Sequence, residues 1–369
     1  MDKPDGRALR REAHHGVRRT ARQEPPPADG GAARRAPPAG AGSRAGDAVG
    51  TTDLLAPGGA RRPPHRRHRR PPRGRRPPRH PRAAPAALAA PLTPAALRTA
   101  YGANRADAAE AARMAAGHGD AHRAAADRAL AAPARHLLSF DGRGTGLATE
   151  VLGDLPRADH VAVLVPGSDT TLDTYARFHR AAAALHAELL RRAPAGHHVA
   201  VVAWLGYATP ATVSATVATP ARAGHAAPRL RALVRQLHAL TSAGTRISLL
   251  CHSYGSVICG RAAPGLDVAD IALVGSPGTG ADSAADLHAR ARIWAARGSE
   301  DWVGNVPHVR ARLFGTTVGF GTDPVSGAFG ARVFDAARAG HSGYFTPGSA
   351  SLANLARITL GATSEVTRV

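Results

Sequence analysis

The run Ile247-Ser248-Leu249-Leu250-Cys251-His252-Ser253-Tyr254-Gly255-Ser256 carries the residue types and spacing best suited to nucleophilic chemistry. A short apolar strand leads to a serine, and a helix leaves it. Such a turn holds the serine in a strained backbone and lifts its hydroxyl above the sheet. Strand and helix crowd one another there, so the residues two before and two after the serine must be small. Gly255 meets that demand fully, and Cys251, standing where a glycine is usual, is small enough. The competing reading is a buried structural serine. The apolar strand before Ser253 and the helix after it favour the nucleophile.

A serine hydroxyl needs a base to take its proton. Where this turn is used, the chain order is serine, acid, histidine. Gly340-His341-Ser342-Gly343-Tyr344 follows the last weak strand and precedes the final helix, where a loop would lower an imidazole onto the turn. His341 is therefore the expected base. His308 beside Pro307 is the main competitor, and His252 should point away from the serine and pack or hydrogen-bond beneath the loop. The acid must orient the imidazole and stabilise its cation. Asp301, in Gly298-Ser299-Glu300-Asp301-Trp302, comes just after the strand Arg292–Ala295 and is the expected acid. Glu300, Asp323 and Asp282 are its alternatives, although Asp282 and Asp286 also fit simple helix caps. Developing negative charge needs backbone N–H donors. Tyr254, after the nucleophile, should supply one, and Ser168 in Val165-Pro166-Gly167-Ser168-Asp169 the other, with Gly167 letting the backbone approach. Gly275-Ser276-Pro277-Gly278-Thr279-Gly280 lacks the spacing and the Lys-Ser/Thr pair of a phosphate loop and reads as a loop near the substrate.

These residues need a frame that holds them. Buried-strand runs stand at Val161–Val165, Val199–Leu205, Ile247–Cys251, Ile271–Val274 and Arg292–Ala295, with a weaker one at Arg332–Phe334. Helical stretches at about 172–192, 222–243, 254–263, 283–290 and 350–360 alternate with them. That alternation means a mostly parallel, doubly wound sheet. His136–Phe140 and Leu147–Leu152 form a hairpin leading into it around glycines 142, 144 and 146. Thr93-Pro94 caps a helix to about Ala116, and Asp120 caps a second to about Ala132, an N-terminal helical appendage over 93–134 before the main domain at 135–369.

The 369 residues carry a formal charge of +21, but it is unevenly placed. Residues 1–82 hold 21 Lys/Arg against 7 Asp/Glu, leaving 27 against 20 for the remainder. The first segment is rich in Arg, Pro, Gly and Ala, the residues that GC-rich DNA encodes in any frame. With so little to bury, residues 1–92 read as a disordered tail. No aromatic side chain is interleaved with its arginines for base stacking, which argues against a nucleic-acid arm. Ala86–Leu92 looks like the end of a secretory signal, but the apolar stretch that should precede it is missing, so the default expectation is cytoplasmic, with export the alternative if the true N-terminus carries a signal peptide. No apolar run is long enough to span a membrane. Cys251 and Cys259 form neither a disulfide framework nor a metal ladder and read as small apolar filler.

Taken together, Leu164-Val165-Pro166-Gly167, Thr171-Leu172-Asp173, Cys251-His252-Ser253-Tyr254-Gly255-Ser256, Val274-Gly275-Ser276-Pro277-Gly278, Asp301-Trp302, Asp323-Pro324-Val325-Ser326 and Gly340-His341-Ser342-Gly343-Tyr344-Phe345 resemble an actinobacterial α/β-hydrolase family catalogued as domain of unknown function 1023. The resemblance covers roughly residues 93–361. It implies an α/β-hydrolase fold and a serine-hydrolase triad of Ser253, Asp301 and His341, and no established substrate. The expectation is a cofactor-free, metal-free enzyme that cleaves a small carboxylic ester or amide through an acyl-enzyme; the alternatives are a non-catalytic binding module of the same fold, against which the intact serine, acid and histidine argue, and a basic-tail nucleic-acid binder. Segments 206–221 and 302–331 should shape its pocket, with Phe314, Phe320 and Phe329 leaning it towards an apolar acyl group.

Overall fold

The computed structural model describes residues 93–212, 221–306, 310–313 and 316–369. The N-terminal segment read as a tail lies outside them, as do His308 and Phe314. Two helices come first, α1 (Pro94–Gly117) and α2 (Ala121–Leu130). Thr93 Oγ1 accepts from the Ala96 N–H at 3.1 Å and Asp120 Oδ1 from the Arg123 N–H at 3.0 Å, so both helices start at side-chain caps. The chain then alternates: β1 (His136–Asp141), β2 (Leu147–Gly153), β3 (His160–Val165), α3 (Tyr175–Arg192), β4 (Val199–Leu205), α4 (Ala221–Leu240), β5 (Arg246–His252), α5 (Gly255–Ala262), β6 (Asp270–Val274), β7 (Arg292–Ala296), β8 (Arg310–Leu313), β9 (Thr316–Gly319), β10 (Arg332–Val333) and α6 (Ala350–Leu360).

Eight strands form one sheet in the order β1-β2-β4-β3-β5-β6-β7-β10. β1 and β2, and β2 and β4, pair antiparallel; every other neighbouring pair in the sheet is parallel. This is the α/β-hydrolase fold, with its mostly parallel, doubly wound sheet. Side chains alternate between two cores with the period of a pleated strand. Val161, Val163 and Val165 of β3 and Ile247, Leu249 and Cys251 of β5 face the α4–α5 layer. Ala162 and Leu164 of β3 and Leu250 of β5 face the α3–α6 layer. Strands covered on both faces read as continuous apolar runs, which is why they stand out in the sequence.

Three expectations are corrected. Cys251 and Cys259 are bonded in a disulfide, with their Cα atoms 6.5 Å apart. Cys251 ends the β5 row that faces α5, and the sharp turn folds α5 back over that row, so eight residues of separation become a short reach. Closing so small a loop stabilises the fold by about 2–3 kcal/mol through the unfolded chain, and here it ties together the two arms of the Ser253 turn. The helix expected over 283–290 is only a single 3-10 turn, Ala285–Leu287, which His288 ends with a left-handed backbone at φ 47°. The segment 302–331, expected to shape the pocket with its phenylalanines, contains the antiparallel hairpin β8–β9. Within it, Phe320 and Phe329 are buried in the α4–α5 core, where Phe320 meets Tyr254 edge-on at 5.8 Å. They pack the fold and do not line the cavity described below.

Candidate active site

At the C-terminal edge of the sheet the chain turns sharply from β5 into α5. Ser253 has φ 53°, a left-handed backbone that costs a non-glycine residue energy. Neighbouring strands and helix hold it there. Its N–H donates to the Val274 carbonyl at 3.0 Å, and Ser256 Oγ donates back to the Cys251 carbonyl at 3.2 Å. A side chain at 255 would put its Cβ 2.6 Å from the carbonyl oxygens of Val165 and Pro166, so only glycine fits.

His341 sits over this turn. Its Nε2 lies 3.0 Å from Ser253 Oγ and its Nδ1 lies 2.9 Å from Asp301 Oδ1. With Nδ1–H donating to the carboxylate, Nε2 is left to accept from the serine hydroxyl. The ring packs against His252 and Trp302, at 4.8 and 4.6 Å between ring centres, both in tilted contact. Gly275, at φ 56°, leaves room for this contact: a Cβ there would lie 2.7 Å from Asp301 Oδ2 and 3.2 Å from His341 Nδ1.

Asp301 is buried, which disfavours its charge. Hydrogen bonds outweigh that: His341 and Tyr344 donate to it, and the Val303 N–H donates at 2.9 Å, so its carboxyl stays below its ordinary value. Tyr344 Oη lies 2.5 Å from Asp301 Oδ2 and accepts from the Gly298 N–H at 3.2 Å. The alternative acids are engaged elsewhere. Asp323 pairs with Arg297 at 2.5 Å, Glu300 with Arg338 at 2.6 Å, and Asp282 lies beside Gly321. Asp286 forms a local cap with Ser283.

The loop after β3 closes the other side. Gly167 lies so near the serine that a Cβ there would be 2.6 Å from Ser253 Cβ. Tyr207 Oη donates to the Pro166 carbonyl at 2.6 Å, and the Asp169 carboxylate accepts from the Thr212 N–H and hydroxyl. The start of the loop after β4 thus braces the loop carrying Ser168. A cavity of about 310 Å³ opens between them, bordered by Ser168, Ser253 and His341, with Phe178, Leu250 and Phe345 as apolar wall.

Sequence reasoning missed the contributions of Tyr344 and Trp302. Tyr344 and Trp302 stood inside recognisable motifs, but their contacts with Asp301 and His341 are made through space. His252 does lie beneath the loop, its Nε2–H donating to the His341 carbonyl at 2.6 Å. Burial and the neighbouring His341 push its pKa down to about 4, so it stays neutral. Among the described residues no cluster of three or more His, Cys, Asp or Glu could hold a metal ion. No described helix is long and apolar enough to cross a membrane.

A family model described as alpha/beta hydrolase matches residues 141–311. Among curated proteins, the chain is 30% identical over 270 residues to the uncharacterized protein Rv2079 of Mycobacterium tuberculosis. That match takes in 61% of this chain and spans 39% of the relative's length. Similar solved structures include an α/β serine hydrolase without a lid from Xanthomonas campestris, at 16% identity and a TM-score of 0.38, covering 64% of this chain and 98% of that one. Esterase LipW from Mycobacterium marinum is similar at 17% identity and a TM-score of 0.35, covering 74% and 90%.

Proposed function

We propose that this protein is a serine hydrolase that cleaves a small carboxylic ester or amide through an acyl-enzyme. The observation that carries the reading is the unbroken chain of hydrogen-bond distances from Ser253 through His341 to Asp301. Ser253 Oγ attacks the scissile carbonyl carbon while His341 Nε2 takes its proton. Asp301 holds the imidazole by Nδ1–H and stabilises the cation that forms. The backbone N–H groups of Ser168 and Tyr254 receive the developing oxyanion. His341 then passes the proton to the leaving alcohol or amine, and the tetrahedral intermediate collapses to the ester on Ser253. A water molecule, deprotonated by His341, releases the acid and restores the serine. Tyr344 steadies Asp301, and Trp302 and His252 pack against the imidazole. The motifs shared with the family called domain of unknown function 1023 support the same residue roles. Hydrolysis of a short p-nitrophenyl ester tests the reading: Ser253→Ala should remove turnover while leaving the circular-dichroism spectrum unchanged. Equal turnover by that variant would refute it.

A further inference from the structure

The cavity beside Ser253 is not uniformly apolar. Besides Tyr344, whose hydroxyl is bonded to Asp301, four residues on its wall carry ionisable side chains: Asp169, Arg177, His252 and His341. Three are already engaged. The Asp169 carboxylate is held by Thr212, His252 is neutral and donates to the His341 carbonyl, and His341 lies between Asp301 and Ser253. Arg177 is different. It projects from the first turns of α3, exposed to solvent at the cavity, and among the described residues no carboxylate pairs with its guanidinium. Asp173, four residues earlier in the turn that precedes α3, is taken by Arg123 at 3.3 Å. The internal stretches outside the described residues, 213–220, 307–309 and 314–315, contain no Asp or Glu at all.

Helix spacing explains how one element supplies both chemistries. Phe178 and Ala181 stand three residues apart on α3 and line the apolar wall with Leu250 and Phe345, while Arg177 borders the same cavity. A guanidinium always carries its charge and presents a planar fork that matches a carboxylate or phosphate. Resting on the serine-hydrolase reading, we propose that Arg177 is a specificity residue that selects substrates bearing an anionic group, separated from the scissile carbonyl by a short apolar part. The substrate class is then an anionic ester or amide, such as the monoester of a dicarboxylic acid, rather than a simple fatty ester. Arg177 takes no part in the bond-making steps.

The test compares kcat/KM for matched pairs of esters. Mono-p-nitrophenyl adipate against p-nitrophenyl hexanoate places the anion on the acyl side; p-carboxyphenyl butyrate against phenyl butyrate places it on the leaving group. In the wild-type protein the anionic member of at least one pair should be preferred, and the pair identifies the side. Arg177→Met should reduce that preference about ten-fold or more, as loss of a charged hydrogen-bonding partner does, mostly through KM. Arg177→Lys should restore part of it, and added salt should weaken it. Fluorophosphonate labelling of Ser253, run in parallel, should be equal in wild type and Arg177→Met. If labelling and neutral-ester turnover are intact but neither preference responds to Arg177, the anionic subsite is wrong and the hydrolase reading stands. If wild type neither labels nor turns over any of the four esters, the hydrolase reading falls and the subsite falls with it.

Discussion

Asp270 and Asp301 are both buried carboxylates of the same sheet, one at each end of it. Asp270 opens β6, and Asp301 lies just past the end of β7. Asp270 is enclosed by Arg246, Arg292 at 2.8 Å and the Trp294 indole N–H at 2.8 Å. All its partners are permanent donors, so the charge is neutralised for good and has nothing to exchange. Asp301 instead faces a histidine, a tyrosine and one backbone N–H, beside a cavity open to solvent. Its main partner can take or give up a proton. Burying a charge among fixed partners makes a clamp; burying one against an imidazole that reaches a hydroxyl gives the arrangement that the proposed reaction needs.

Substitution should separate the two. Asp301→Asn should lower turnover on the order of 10⁴-fold, as loss of the orienting acid does in other triads, with only a modest fall in melting temperature. Asp270→Asn should do the reverse. Leaving two guanidinium groups without their shared buried anion costs about 3 kcal/mol or more of stability, while the protein that remains folded keeps its turnover. Chemical denaturation and ester kinetics on both variants check this. If Asp270→Asn lost activity without losing stability, the contrast between the two ends would collapse.

A smaller effect sharpens the same contrast through pH. His252 is held neutral, with a pKa of about 4, while in the unfolded chain it would titrate near 6.5. Between those values the unfolded state binds more protons, so stability rises with pH. It is complete above about 6.5 and is lost as pH falls towards 4. Because part of the ring edge meets the cavity, we expect a loss of no more than about 2 kcal/mol between pH 6.5 and 5. Urea unfolding at the two pH values measures it, and His252→Gln, which cannot protonate, should flatten the difference. An unchanged slope in that variant would assign the effect to another group.

What the sequence makes legible follows from how local each constraint is. The turn at Ser253 demands small neighbours within two residues, so it can be read directly. His341 and Asp301 can be placed because the order of strands limits which loops reach that edge. Contacts made through space leave no such trace. Nothing near Tyr344 in the chain indicates that its hydroxyl meets Asp301, and Cys251 and Cys259 look like filler until the turn brings them together. Phe320 and Phe329 mislead for the opposite reason: a large apolar residue in a loop-rich stretch suits a pocket wall or a core equally well, and both are buried in the α4–α5 core. The alanine-rich stretch near 285 has helical propensity, but a single 3-10 turn is all that forms there.

The most direct test of the account is to treat the full-length protein with a fluorophosphonate and map the modified peptide. Covalent labelling should fall on Ser253 alone and be lost in Ser253→Ala. It should slow strongly in His341→Ala, because the hydroxyl then has no base beside it. Labelling at another serine, or none at Ser253 in well-folded protein, would contradict the account.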